Sequence, residues 1–337
     1  MRLRHLISGV LVVAAGCIVG EVHAVMVIES FSTARHDRFA DNSAYVGHGF
    51  NFSGVGRSSN SRWVTMLNDP HGGDPQYFVS AAHAQPSGTV TFHVDNNPTG
   101  TSISCTIDNA APMAGMSIPS TDIWIGSVSG CDTSMITGYN IASTVSATPT
   151  VFQVGDNDTS GTAYDNIATD MRVGRNVLDF TLTETLLGHN AEWAVYADDS
   201  AAGDLTGGSN TGPNYLATNG TDETYYASGD SGGPTFIDNS GTLELIGIHS
   251  FIGPLLMAGD GSLYFDTTDM STDPEERRAS GDAYLPASSA AIHAKITAVP
   301  EPSAFLYLAI LACGCWIGKR LGDHGSRRDD RENTSLI

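Results

Sequence analysis

The 337-residue chain is poor in positive charge, in cysteine and in helical patterning, and each shortage removes a class of protein. It carries 16 Lys and Arg against 37 Asp and Glu. Between positions 25 and 298 the imbalance deepens to nine basic against 31 acidic side chains. A nucleic-acid binder must meet phosphate with Lys and Arg, so no nucleic-acid partner is expected. Among the five cysteines, none joins histidines at zinc-binding spacing, and no metal or cofactor is expected. The string "DNDTSG" at 156–161 opens like a calcium loop of the EF-hand type. Its twelfth position would be Ile167 rather than Glu, and helical flanks are missing, so that reading fails. Internal repeats and long amphipathic helices are absent as well.

What the chain does have is concentrated at its ends and in short strand-like runs. Arg2 and Arg4 precede the apolar run "LISGVLVVAAGCIVG", and "VHA" closes it at Ala24. This is the layout of a secretory signal, so residues 1–24 are expected to be removed by signal peptidase. A membrane anchor is the simpler alternative, but the run is short for one. At the other end, "VPEPSAFLYLAILACGCWIGKR" joins a Pro-Glu-Pro triplet to an apolar run from Ala304 to Gly318 and a basic cluster. Fifteen helical residues cover roughly 22 Å, short of a ~30 Å hydrocarbon core, and the basic end belongs on the cytoplasmic side. The three zones resemble a PEP-CTERM sorting tail. That resemblance implies a Gram-negative-type bacterium, an exosortase-type sorting enzyme as partner, and a transient membrane attachment through residues 299–337. A plain C-terminal anchor is the alternative. Either way the protein is expected to be exported, to the cell surface or beyond.

The remaining module, 25–298, reads as all-β. Runs such as "RWVTML", "QYFVSAA", "TVTFHV", "DIWIGSV", "NVLDFTL", "EWAVYA", "PTFID" and "LELIGIHSF" are rich in β-branched and aromatic residues and separated by Gly, Asn, Asp and Ser. Many short strands with turn signals predict a sandwich or barrel. One helix is expected, over 286–296, and polar loops over 155–166, 198–224 and 254–283. Cys105 and Cys131 are the only cysteines outside the two ends, and in an exported protein they can pair.

The string "GDSGGP" at 229–234 places three glycines and a proline around one Asp-Ser pair. A nucleophilic serine needs an exposed hydroxyl on a tight turn, amides aimed at the developing oxyanion, a histidine base and a carboxylate to orient it. Glycine at 229 permits the backbone that such a turn requires, directing the N–H groups of Gly229 and Ser231 into one pocket. "GDSGGP" resembles the active-site motif of trypsin-like, chymotrypsin-fold serine peptidases. The resemblance extends to "FVSAAHAQ", giving His83 as base, and to "STDIWIGSV", giving Asp122 as carboxylate; Asp95, Asp108 and Asp132 are alternatives. The order His83, Asp122, Ser231 and the spacings of 39 and 109 residues match the family. Ala84 stands where the family usually has a cysteine, so the disulfide at that point is missing.

The resemblance implies two antiparallel six-stranded β-barrels with the site in the cleft between them, then a short C-terminal helix. The implied activity is endopeptidase cleavage of protein or peptide substrates through an acyl-enzyme. It further implies Tyr225 at the floor of the primary pocket, where an Asp would select Arg or Lys, and Ser250 and Phe251 along the substrate backbone. Cleavage after basic residues is therefore not expected, unless Asp222 or Glu223 supplies the charge. His249 matches a histidine that binds acidic substrates in some members; alternatively it packs internally. Asp230 pairs either with a freed N-terminus, with Val25 exposed by signal cleavage, or within the fold. A catalytically silent protease-fold binding or surface and matrix protein is the competing reading; the intact Ser-His-Asp set argues against it.

Overall fold

The computed structural model describes residues 26–28, 31–39, 43–96, 100–108, 116–156, 171–197, 222–226, 229–253, 255–257, 263–265 and 279–298. The expected signal segment (1–24), the expected sorting tail (299–337) and the rest of the 156–161 string beyond Asp156 lie outside these residues. Among the described residues no helix is long and apolar enough to cross a membrane.

The chain begins with strand β1 (Val27–Ile28), paired with β14 (Thr224–Tyr225), and one turn of helix, α1 (Thr33–His36). The first sheet contains β2 (Val55–Ser58), β3 (Trp63–Met66), β4 (Tyr77–Ala81), β5 (Thr89–His93), β6 (Ser102–Ile107), β7 (Met116–Ser117) and β8 (Ile123–Ser129). Its order is β4-β3-β2-β5-β6-β8-β7, and β4 also pairs with β8. That extra pairing closes six strands into a barrel and leaves β7 outside. Closure removes the exposed edges an open sheet would present.

The second sheet holds β9 (Asn140–Ile141), β10 (Thr150–Asp156), β11 (Met171–Val177), β12 (Phe180–Leu186), β13 (His189–Ala197), β15 (Pro234–Asn239), β16 (Thr242–Gly253) and β19 (Ala279–Tyr284). Its path is β11-β10-β15-β16-β19-β13-β12, with β9 beside β16. The two ends of this path are consecutive in the chain. Leu178 N–H donates to Pro149 O on one side and Asp179 N–H to Val195 O on the other. The run "NVLDFTL", which reads as one strand, therefore breaks at Leu178–Asp179 to turn a corner, and the sheet coils back on itself. A small hairpin, β17 (Leu255–Met257) with β18 (Leu263–Phe265), precedes β19, and α2 (Leu285–Thr297) ends the fold. This is the all-β, two-barrel architecture with a C-terminal helix that the resemblance implies. It differs in detail: the first barrel is closed by its strand pairings, and the second is a coiled sheet of eight strands.

Period-two alternation explains how thin strands serve two cores. Along β3, Val64 and Met66 join the core of the first sheet, while Trp63 joins a core shared by both sheets. Along β8, Trp124 faces the first and Ile123 and Ile125 the second. In the other half, Ala194 and Tyr196 of β13 face a core of the second sheet, while Trp193 and Val195 face the shared one. Aromatic contacts lock the halves together: Phe52 and Tyr139 pack on Phe236, and Phe50 on Phe152. Leu285, Ile292 and Ile296 bury one face of α2 against the same shared core. All but the last residue of strand β19 falls inside the expected polar loop 254–283. Its sequence, "ASGDAY", lacks β-branched residues, and its place between β16 and β13 rests on backbone pairing.

Candidate active site

His83 sits in a single 3-10 turn, Ala82–Ala84, directly after β4, and Asp122 directly before β8. Antiparallel pairing of these strands sets Ala81 opposite Ile123, and Ala82 N–H donates to Asp122 O at 2.9 Å. The 39 intervening residues thus leave and return to one point. The Asp122 carboxylate is fully buried and takes both N–H groups of the histidine: the backbone N–H at 2.9 Å and Nδ1 at 2.6 Å. With Nδ1 protonated, Nε2 is free to accept, and it lies 2.9 Å from Ser231 Oγ. The His83 side chain remains 38% exposed, so the site is open to substrate.

Ser231 arrives from the other barrel, on the turn before β15. Gly229 and Gly232 have φ of 112° and 86°, in the region that favours glycine. A Cβ at Gly232 would lie 2.6 Å from Ser80 Oγ and 3.3 Å from Ala81 N, so the nucleophile turn rests on the backbone of β4. Ser80 Oγ is itself held on Trp63 O at 2.8 Å. Behind the turn, Gly232 N–H donates to His249 O and His249 N–H to Gly233 O, each at 2.8 Å. Among the described residues, neither the Gly229 nor the Ser231 amide donates to a backbone carbonyl.

The other carboxylates that spacing allowed are engaged elsewhere. Asp108 accepts from the hydroxyls of Ser127 and Ser129, Asp132 from the Ser134 amide, and Asp95 is exposed. The buried Asp230 lies beside Met26: a Cβ at Gly155 would be 2.9 Å from Asp230 Oδ1 and 2.7 Å from Met26 Cβ. Val25 lies outside the described residues.

Of the residues assigned to substrate, Tyr225 pairs its backbone with Val27. Ser250 stands at a bulge in β16, with its hydroxyl donating to Ile248 O and accepting from Ala283 N–H. Phe251 packs edge-on against Trp193. His249 is buried, 1% exposed, and stacked on Tyr226 with ring centroids 3.4 Å apart. Burial holds its pKa well below the usual value, and the nearby Asp230 and Pro234 carbonyls only partly offset this. A neutral, enclosed imidazole is poorly suited to binding a carboxylate. Asp222 is likewise enclosed, paired with Arg35, Arg175 and His36, and Glu223 is buried at 3% exposure.

Sequence reasoning did not find the polar cluster behind His249. There the Tyr226 hydroxyl meets Gln153 Nε2 at 2.7 Å and Thr235 Oγ1 at 2.8 Å, and Tyr196 OH donates to the fully buried Asp282 at 2.8 Å. These residues come from strands far apart in the chain, and no local string signals them. Cys105 and Cys131 are joined as a disulfide across 26 residues.

No protein-family model matches the chain, and no curated protein matches it. Among solved structures it is similar to an inactive mutant of the murine norovirus NS6 protease, at 10% identity and a TM-score of 0.37. That match covers 69% of this chain and 89% of that one.

Proposed function

We propose that the chain is a serine endopeptidase acting through Ser231, His83 and Asp122. The observation that carries this reading is the unbroken relay from Ser231 Oγ to His83 Nε2 and from His83 Nδ1 to a buried carboxylate. Ser231 Oγ attacks the substrate carbonyl carbon as its proton passes to His83 Nε2. The carbonyl π electrons move to oxygen, which the Gly229 and Ser231 amides receive. Collapse expels the amine, which takes the proton from His83 and leaves an acyl-enzyme. Water, deprotonated by the same nitrogen, then releases the acid. Asp122 holds the tautomer that makes Nε2 the acceptor and stabilises the imidazolium formed at each transfer.

In this reading Tyr225, and not an acid, occupies the sequence position that sets primary specificity, and the enclosed Asp222 offers a basic side chain nothing. His249 supports the nucleophile turn from behind. The Cys105–Cys131 disulfide fits an oxidising compartment, in keeping with export through residues 1–24 and sorting through residues 299–337. The test is reaction with a fluorophosphonate followed by intact mass. One adduct per chain, lost in Ser231→Ala, is the expected result. Absence of an adduct on the folded protein defeats the proposal in favour of a silent binding protein.

A further inference from the structure

Asp222 lies nine residues before Ser231 and opens the segment that leads into the nucleophile turn. Its carboxylate is 1% exposed and surrounded from two sides. Arg35, on α1, reaches both oxygens, through Nε to Oδ1 and through Nη2 to Oδ2, the latter at 2.6 Å. Arg175, on β11, reaches Oδ2 through Nη2. His36 Nε2 meets Oδ1 at 3.2 Å, while its Nδ1 accepts the Ser32 amide at 3.0 Å. That second bond selects the tautomer in which Nε2 carries the proton, so His36 donates without needing to be charged. Burial raises the Asp222 pKa, but hydrogen bonds from Arg35, Arg175 and His36 outweigh it and bring the value down to about 2. The cage therefore stays ionised throughout the working range.

The residues that follow are tied to the same two partners. Thr224 and Tyr225 pair with Ile28 and Val27 of the N-terminal arm, and Thr224 O accepts from Asn176 Nδ2 at 2.6 Å. The arm is pinned in turn by Arg172, whose Nη1 donates to Met26 O at 2.8 Å and whose guanidinium lies 3.9 Å from the Phe31 ring centroid. A buried ionised carboxylate held by two guanidinium groups and a neutral imidazole resists displacement, because releasing any one donor leaves part of its buried charge uncompensated.

We infer that Asp222, through Arg35, His36 and Arg175, is a positioning residue that fixes residues 222–226 ahead of the turn that carries Ser231, and that the N-terminal arm is in this way a working part of the active site. The inference rests on the proposed peptidase reading for its kinetic consequence but not for its structural one. Displacing Gly229 or Ser231 by an ångström lowers turnover on the order of 10- to 100-fold, without removing any group that touches substrate.

The test compares the full chain with Arg35→Gln, Asp222→Asn and the conservative Arg35→Lys. Arg35 is 39% exposed, so its replacement tests the cage even where Asp222→Asn fails to fold. Hydrogen–deuterium exchange is expected to accelerate across 222–226 and 229–233 in Arg35→Gln while α2 stays protected, and Arg35→Lys is expected to restore most of the protection. Among active sites titrated with fluorophosphonate, kcat per site is expected to fall 10-fold or more, with little change in KM. Unchanged exchange in 222–226 and 229–233 overturns the inference, and so does unchanged kcat per titrated site with only a lowered Tm. If the parent chain takes no fluorophosphonate, it is the peptidase proposal that falls, and the exchange data alone then decide the positioning role.

Discussion

Asp282 lies on β19 between β16 and β13, fully buried. Burial raises its pKa from 3.8 to about 7, although the hydroxyls of Thr235, Tyr226 and Tyr196 pull the other way. Among the described residues its Oδ1 has no hydrogen-bond partner, which leaves the charged form incompletely solvated there. In the unfolded chain the same carboxyl ionises near its ordinary value. Between about pH 4 and pH 7 the native state thus holds a proton that the unfolded state has lost, and stability falls as pH rises. The contribution is fully present below pH 4 and gone above about pH 7. At 1.36 kcal/mol per pH unit the gap amounts to about 4 kcal/mol. Asn at this position keeps the shape and an acceptor but cannot ionise. The stability of Asp282→Asn relative to the parent should therefore rise by about 4 kcal/mol between pH 4 and pH 7.5. Urea unfolding followed through the buried Trp63 and Trp193 reads this directly. Both proteins should carry Ser231→Ala, which prevents self-digestion and cancels every other titration in the difference. A difference that does not vary with pH, or that falls as pH rises, refutes the assignment of a raised pKa to Asp282.

Two further outcomes follow from the site and the first barrel. Asp122→Asn should leave the fold intact by circular dichroism yet lower kcat on the order of 10⁴-fold, because an amide cannot hold His83 with Nδ1 protonated; a loss below tenfold would exclude the tautomer role. Replacing Cys105 and Cys131 together by Ala should cost roughly 3.5 kcal/mol for a loop of this length in reducing-agent-free urea unfolding, with no change in kcat.

The proposed catalytic residues were legible because each sits in a short string whose chemistry is local: a glycine-flanked serine, a histidine closing a strand, an aspartate opening one. The division into two barrels came from the resemblance, while β-branched runs marked most strands whatever their partners. The sequence favoured Asp122 over Asp95, Asp108 and Asp132 because it alone opens an alternating apolar strand; its contact with His83 needed the structure. Only the β4–β8 pairing brings one carboxylate within reach of both His83 N–H groups, and that register depends on residues 39 apart. Strand β19 was illegible for a related reason. Its small and polar residues carry no alternation, and it is a strand because β13 and β16 satisfy its backbone from both sides. The Asp222 cage and the Asp282 cluster were beyond sequence reasoning altogether. Hydrogen bonding and burial act across space, so a carboxylate's charge state is set by neighbours that the linear order does not name. By itself the sequence determined the all-β class, the reacting groups and their order. How that acid reaches the histidine, how the N-terminal arm meets the segment before Ser231, and which buried carboxyl keeps its proton were decided only in the tertiary structure, because hydrogen bonds and burial act between residues that folding alone brings together.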